Sequence, residues 1–335
     1  MTNITTLASW EAESTSIPEI EAALADVRRA EIRAAVRTAV LTLVVVADAG
    51  DCAMFLETIR EMAITHPAHA IVLVVGDDTG ESRTDATVEV HALEREGASV
   101  CVEDLVLHVR GPMVHHLDSV VEPFTLADLP VAVWLPGMLT PLSDPLLGAA
   151  DRIVVDSKEL GDAGGLPDIS ELLRRFPVVD LSWVRLQPWR EITAGLFEGD
   201  VFRPFVHGVR SATVWGKQGP RLLLGGWLAS RLGLEPSAVS LVEDRHASIR
   251  LDCVDEASGH HGVFRVERQS TERLITTTVE VDGMEPQVRT LRLRDRSPGR
   301  VLGTALSHLG HDRVYEQAVA AALTLAPSPS GASAT

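Results

Sequence analysis

The segment AVLTLVVVA at residues 39–47 is a run of nine residues without a charged side chain. Such a continuous run, rich in side chains branched at Cβ, is typical of a strand that is buried on both faces of a sheet. Because parallel strands need a crossover connection, usually a helix, apolar runs that alternate with helix-like segments predict an α/β fold. The N-terminal part should form a mostly parallel sheet with flanking helices, and further strand-like runs follow at IVLVV (71–75), VAVWL (131–135) and RIVV (152–155).

The second half of the chain has a different pattern. After a helix-like segment at 219–234 come four short segments of alternating polarity, separated by turn residues: ASIRLDCVD, GVFRVERQ, LITTTVEVDG and VRTLRLRD. This pattern predicts an antiparallel meander within a smaller α+β domain. We expect an N-terminal segment and helix at 1–37, the α/β domain at 38–198, the α+β domain at 199–325 and a disordered tail at 326–335.

Three local expectations are specific enough for the structure to test. Helical spacing of apolar residues predicts a helix over 18–37. The segment GPMVHHLDSVVEPF at 111–124 is compatible with one helix opened by Pro112. The segment VVDLSWVRL at 178–186 continues the series of predicted strands.

Charge and cysteine usage limit the class of protein. Thirty Lys and Arg residues against forty-seven Asp and Glu residues give a net charge of −17, which disfavours nucleic acid and anionic membranes as partners. The run at 39–47 is too short to span a membrane. Cys52, Cys101 and Cys253 stand singly, which fits a reducing compartment. With no leader pattern at the start, we expect a cytoplasmic protein.

The segment HHLDSVVE at 115–122 brings two histidines, an aspartate, a serine and a glutamate together. On a helix, His115 and Ser119 would share one face, and so would Asp118 and Glu122. A Ser/His/Asp triad needs groups that converge from separate elements, whereas these residues would radiate from consecutive turns. Neither a zinc-ligand spacing nor a phosphate-binding loop occurs elsewhere in the sequence. We therefore predict no catalytic, cofactor-binding or metal-binding residues, and no enzymatic activity.

Tryptophan is overrepresented among the aromatic residues, with six Trp against a single Tyr. We predict Trp134, Arg185, Trp189 and Arg190 as partner-binding residues, because Trp and Arg dominate the energetics of protein interfaces. Pro188 favours a helix start and should leave Trp189 and Arg190 near a surface. The alternative is that these tryptophans belong to the core.

Several blocks in a fixed order resemble the OpcA family of glucose-6-phosphate dehydrogenase assembly proteins. The resemblance covers about residues 38 to 325, and its specificity comes from the ordered set, since no single block would suffice. The blocks are HPAHAIVLV (66–74), HHLDSVVEPF (115–124), LPVAVWLPG (129–137), DRIVVDS (151–157), D-L-x-W-x-R-L-x-P-W-R (180–190) and GWLASRLG (226–233).

The resemblance implies a non-catalytic cytoplasmic partner that binds glucose-6-phosphate dehydrogenase, promotes its active oligomeric form and acts as an allosteric activator in the oxidative pentose phosphate pathway. The cyanobacterial branch of the family is associated with thioredoxin-linked control through cysteines. Here the last cysteine is Cys253, so a thiol switch is not carried over. The alternative function is a sugar-phosphate-binding enzyme or sensor that uses the C-terminal ends of the N-terminal domain strands.

Overall fold

The computed structural model describes residues 3–31, 39–48, 50–95, 98–137, 145–160, 165–268, 273–294, 296–307 and 310–326. The chain divides into two compact units, and neither is a continuous segment. Unit 1 comprises Met1–Asp156, Phe176–Leu181 and Arg296–Gly310, and unit 2 comprises Ser157–Arg175, Ser182–Asp295 and His311–Thr335. The domain boundaries expected at 37, 198 and 325 stay predictions, since grouping by contact does not show which segments fold independently.

Unit 1 contains an eight-stranded sheet, sheet A, with the strand order β1-β4-β5-β3-β2-β6-β7-β8. Every neighbouring pair from β5 to β8 is parallel, and only the pairs β1–β4 and β4–β5 are antiparallel. The prediction of a mostly parallel sheet is confirmed. The strands are β1 (Asn3–Ala12), β2 (Thr42–Ala47), β3 (His69–Val75), β4 (Arg83–Arg95), β5 (Ala98–Arg110), β6 (Val131–Leu135), β7 (Arg152–Val155) and β8 (Val178–Asp180).

Ten helices accompany the strands in the described part of the chain. None of them combines the length and the apolar character that a membrane-spanning helix requires. They are α1 (Ile17–Glu31), α2 (Cys52–Ala63), α3 (Leu117–Val121), α4 (Pro145–Gly148), α5 (Leu166–Leu173), α6 (Leu181–Arg185), α7 (Gln187–Gly195), α8 (Gln218–Leu232), α9 (Pro298–Ser307) and α10 (Arg313–Leu325).

Two adjacent acidic residues in the middle of β5 link sheet A to the helices on its opposite faces. Side chains alternate between the faces of a strand, so Glu103 and Asp104 point in opposite directions, and both are buried. Arg28 of α1 makes two 2.9 Å hydrogen bonds to the Glu103 carboxylate. Arg60 of α2 donates from Nε to Asp104 Oδ2 over 2.7 Å. Each buried carboxylate thus has a guanidinium partner, which its burial requires.

Helix α9 comes from the end of the chain and is bound at both ends by other elements of unit 1. At its N-terminus, the Glu61 carboxylate accepts the backbone N–H of Gly299 over 3.0 Å and the hydroxyl of Ser297. At its C-terminus, the buried Arg152 of β7 donates to the carbonyl oxygens of Ala305 and Leu306 over 3.3 and 3.1 Å. The Glu61 carboxylate thus lies at the positive end of the helix dipole and the Arg152 guanidinium at its negative end. Both contacts connect α9 to other elements of unit 1.

Unit 2 contains a six-stranded sheet, sheet B, with the order β10-β9-β11-β12-β13-β14. Its strands are β9 (Val209–Gly216), β10 (Val239–Glu243), β11 (Ser248–Val254), β12 (His261–Arg268), β13 (Leu274–Val281) and β14 (Gln287–Arg292). The four segments predicted as a meander are β11 to β14, each antiparallel to the next, so this prediction is confirmed. Strands β9 and β10, a parallel pair, were not predicted from the sequence.

One face of sheet B is covered by an aromatic cluster. Phe264 of β12 stacks on Phe197 with a centroid distance of 4.5 Å, and Phe202 and Phe205 approach the same ring at 6.0 and 5.7 Å. Burial alternates along β11, β12 and β13, as expected for a sheet with one face in the core.

Three sequence-based expectations need correction. The segment 111–124 is not one helix but two 3₁₀ turns around the five-residue α3, because His116, at φ −134° and ψ 42°, interrupts the helical backbone. The segment 178–186 is a strand only as far as Asp180 and then turns into α6. The N-terminal segment carries an edge strand, β1, that was not predicted, because it is held by pairing with the distant β4.

Two sequence-based predictions are only partly covered by the described residues. Helix α1 confirms the predicted helix as far as Glu31, and residues 32–38 lie outside the described part of the chain. The expected disordered tail, from 327 onward, also lies outside it.

We expect Gly226→Ala to destabilise the protein by about 1–3 kcal/mol, because helices α8 and α10 touch backbone to backbone at this residue. An added methyl group would lie 2.1 Å from the carbonyl oxygen of Ala318 and 2.7 Å from the backbone nitrogen of Ala322. Urea unfolding followed by circular dichroism measures the change. Gly195→Ala, where no atom lies within 4 Å of the added methyl, is the matched control. Equal midpoints for the two variants would contradict the prediction.

Candidate functional site

The carboxyl ends of the parallel strands of sheet A are the usual ligand-binding position in doubly wound folds. Strand order changes direction between β2 and β6, so the crevice should open there. The loops after β2 and β3 bring the exposed residues Asp48, Asp51, Asp77 and Asp78 to this edge. Their negative charge would repel a phosphate group. The loop at 138–144, which follows β6, lies outside the described residues.

The polar cluster at His115 does not converge on one point. His115 belongs to the 3₁₀ turn Gly111–His115, and the following residue caps α3. The His115 side chain is 66% exposed, with Nε2 at 3.5 Å from Asp78 Oδ2. Ser119 is also exposed. An exposed ion pair of this length contributes little, and these residues do not form a nucleophile–base–acid arrangement.

One group of acidic and basic side chains in unit 1 lies against sheet A, with Asp104 and His91 buried and the Glu89 side chain 35% exposed. Asp104 and Glu89 face each other across β5 and β4, and His91 Nε2 lies 3.2 Å from Glu89 Oε2. Arg60 enters this group and bonds Asp104, Glu89 at 3.2 Å and His91 at 2.8 Å. The guanidinium occupies the position that a bound cation would take. The described residues contain no group of three or more His, Cys, Asp or Glu side chains suited to hold a metal ion.

The block D-L-x-W-x-R-L-x-P-W-R begins at the last residue of β8 and forms α6 and the start of α7, and its Trp183 contacts α10. The Trp183 indole N–H donates to Asp312 Oδ2 over 2.8 Å. The other carboxylate oxygen of Asp312 caps α10 by accepting the N–H groups of Val314 and Tyr315. The Trp183 ring also packs on Tyr315 at 5.5 Å.

Arg190 completes this arrangement from the first turn of α7. Its guanidinium lies 3.4 Å from the centroid of the Trp183 ring, a cation–π contact. Its Nη1 donates to the Trp183 carbonyl oxygen over 2.7 Å. Trp183 is therefore held through its ring, its N–H and its carbonyl group, and the arrangement fixes the angle between α6 and α7.

The structure separates the four predicted partner-binding residues into two groups. Trp134 and Trp189 are only 5% and 6% exposed, and Trp134 packs edge-on against Phe55 with a centroid distance of 5.2 Å. The expectation of exposed aromatic anchors at these two positions is therefore corrected, because both rings lie in the core. Arg185 and Arg190 are half-buried. The predicted helix start at Pro188 is confirmed, and a role of the four residues in binding stays a prediction.

Sequence reasoning missed Asp312 and Tyr315. The available signals were a helix-capping residue directly before an apolar helical pattern and the only tyrosine in the chain. Neither signal indicates that Trp183, more than a hundred residues earlier, would be the partner.

Two protein-family models match this chain, one in its first half and one in its second half. The model for the N-terminal domain of the glucose-6-phosphate dehydrogenase subunit OpcA matches residues 60–171, and the model for the C-terminal domain matches residues 176–319. The chain belongs to the OpcA family.

Curated OpcA relatives come from cyanobacteria. The putative OxPP cycle protein OpcA of Nostoc punctiforme is 24% identical over 260 residues, which are 73% of this chain and 53% of that protein. The protein of the same name from Synechocystis sp. is 27% identical over 190 residues, 53% of this chain and 40% of that protein. The chain spans about half, or less, of the length of these relatives.

Among solved structures, an oxidoreductase from Sinorhizobium meliloti matches 85% of this chain and 86% of its own, at 10% sequence identity. Its TM-score of 0.33 is too low to support an argument about the OpcA chain.

Two of the OpcA-like blocks have a structural explanation. The D-L-x-W-x-R-L-x-P-W-R block supplies the Trp183–Arg190 arrangement described above. In the GWLASRLG block, Gly226 permits the close approach of α8 to α10, and Gly233 ends α8 with φ +65°. These blocks maintain the framework of unit 2.

Cys52, Cys101 and Cys253 form no disulfide in this OpcA chain. Burial, assisted by Asp252, raises the pKa of the Cys253 thiol to about 12. Burial also raises the pKa of the Cys52 thiol, with Asp104 as the next cause. Because the thiolate is the reactive form, both shifts oppose a thiol switch at these residues.

We expect Arg190→Ala to lower the free energy of unfolding by about 1–2 kcal/mol, because it removes the cation–π contact and the bond to the Trp183 carbonyl. A thermal melt measures the effect. Arg174→Ala is the matched control, since Arg174 is exposed and lies 3.5 Å from Glu171, and it should change stability by less than about 0.5 kcal/mol. A melting temperature of Arg190→Ala equal to that of the control would reject the structural role.

We expect Cys253 to resist alkylation by iodoacetamide at pH 8 while the protein is folded. A pKa of about 12 instead of 9.0 reduces the thiolate population about a thousandfold. Mass spectrometry after timed alkylation measures the rate, and the chain unfolded in guanidinium chloride is the control. Equal alkylation rates in the folded and unfolded protein would contradict the prediction.

Proposed function

We propose that this chain is a non-catalytic subunit that binds glucose-6-phosphate dehydrogenase, promotes its active assembly and acts as an allosteric activator. The observation that carries the proposal is the match of the two domain models of the dehydrogenase subunit to 60–171 and 176–319, in that order. Because the chain spans only part of its curated relatives, the role of the whole protein is part of the same proposal.

The electrostatics of sheet A support this reading over a sugar-phosphate-binding enzyme or sensor. The carboxyl edge of the parallel strands carries Asp48, Asp51, Asp77 and Asp78, which oppose the binding of a phosphate. In the cluster of Asp104, Glu89 and His91, Arg60 already makes a hydrogen bond to each of the three side chains.

An activator of this kind must bind one state of the dehydrogenase more tightly than another, because a subunit with equal affinity for all states shifts no equilibrium. We propose that it acts in the cytoplasm, a location supported by three cysteines that form no disulfide. Arg185 and Arg190 remain candidate contacts within the proposal, and Trp134 and Trp189 would act as core residues beneath the surface.

The test uses the purified chain and the dehydrogenase of the same organism. We expect a complex in size-exclusion chromatography with light scattering, a larger share of the oligomeric enzyme and a higher kcat/KM for glucose-6-phosphate oxidation. The chain alone should show no turnover, and the heat-unfolded chain should leave the enzyme unchanged. The absence of a complex at micromolar concentrations, or glucose-6-phosphate oxidation by the chain alone, would overturn the proposal.

A further inference from the structure

Strand β14 is an edge of sheet B and is exposed along its whole length. Val288 is 62% exposed and Leu291 is 42% exposed. An edge strand presents backbone N–H and C=O groups that can pair with another strand. No described residue pairs with the outer side of β14.

The hydrogen-bond pattern shows which groups face outward. The N–H of Leu293 donates to the carbonyl oxygen of Arg273 over 2.7 Å. Arg273 directly precedes β13, so the N–H of Leu293 faces the β13 side of the strand. Backbone direction alternates along a strand of an antiparallel pair. The N–H groups of Val288, Thr290 and Arg292 therefore point away from β13 and are available to an added strand.

The charge of this edge is opposite to the charge of the whole chain. Arg289, Arg292 and Arg294 are exposed, and residues 287–294 contain no acidic residue, although the net charge of the protein is −17. No salt bridge in the described part of the chain involves these three arginines. The edge is a local cationic stripe with apolar side chains between its charges.

An apolar groove lies next to the same strand. One face of sheet B carries the buried side chains of β13, and on β14 the same face carries Gln287, Arg289 and Leu291. Together with residues of β13, α7 and the following turn they border a cavity of about 360 Å³. Its apolar lining is Ile192, Leu196, Phe202, Val279 and Leu291. Alternate side chains of an added strand would enter this groove.

We propose that β14 binds an extended acidic segment of glucose-6-phosphate dehydrogenase as the seventh strand of sheet B. The inference rests on the proposed function and names the surface and the chemistry of the contact. Main-chain hydrogen bonds to Val288, Thr290 and Arg292 would hold the segment. Apolar side chains would fill the groove at every second position, and carboxylates would pair with Arg289, Arg292 and Arg294.

Charge argues against a second copy of this chain as the occupant. Two β14 strands in an antiparallel pair would bring two cationic stripes side by side, and the repulsion between their like charges opposes this pairing. Charged side chains on an edge commonly prevent such self-association. The same arginines favour an acidic segment.

The experiment measures the affinity of the dehydrogenase for the unchanged chain and three variants by biolayer interferometry. Thr290→Pro removes an outward N–H and should leave the ladder to β13 intact. The double variant Arg289→Glu/Arg292→Glu reverses the charge without altering the backbone. The control Arg245→Glu/Arg313→Glu makes the same change in charge at exposed positions away from β14. Thermal melts establish that each variant is folded.

We expect both β14 variants to bind at least about tenfold more weakly than the unchanged chain, and the control to bind within about twofold of it. Hydrogen exchange in the complex should slow at residues 287–294. Unchanged affinity of the double variant, while the unchanged chain binds, would overturn the docking surface and leave the proposed function standing. A chain dimer that Thr290→Pro abolishes would assign the edge to a second copy and also overturn it. No binding by the unchanged chain would reject the proposed function itself.

Discussion

The buried carboxylates of Glu103 and Asp104 impose the main constraint on unit 1. They follow each other on β5, so each points into a different layer of the fold. A charge buried there needs a partner, and Arg28 and Arg60 supply it from α1 and α2. Removing either arginine would take away the guanidinium partner of a buried carboxylate and leave a histidine beside it, His69 at Glu103 or His91 at Asp104. The two ion pairs therefore fix which helix covers which face of sheet A.

Unit 2 depends on a different kind of contact. Trp183 is bound through its indole N–H, its ring and its carbonyl group by Asp312, Tyr315 and Arg190. Asp312 also caps α10, and α10 in turn packs against α8 at Gly226. A perturbation at Trp183 would thus reach three helices. Two of the six blocks that resemble the family, at 180–190 and 226–233, contribute to this framework, so these two do not by themselves indicate a contact surface.

The difference between core residues and exposed residues also matters for the proposed binding of the dehydrogenase. The tryptophans that looked like interface anchors belong to the core, whereas β14 carries exposed apolar and cationic residues together. A chain of strongly negative net charge that carries a cationic sheet edge can orient an acidic partner by electrostatic complementarity. Backbone pairing along the edge would then supply a contact that does not depend on the tryptophans.

The sequence by itself determined the elements whose signal is local. The apolar runs of sheet A, the meander of sheet B and the start of α7 at Pro188 follow from periodicity, turn residues and proline geometry. Family membership followed from ordered blocks. Tertiary structure decided what depends on distant partners: β1 is held by β4, α9 is bound by Glu61 and Arg152, and Trp183 meets Asp312. In each case the stabilising group lies far away in the sequence, so the local pattern carries no information about it. Burial of Trp134 and Trp189 was undecidable for the same reason, because a tryptophan next to arginine has the same local pattern in a core as on a surface.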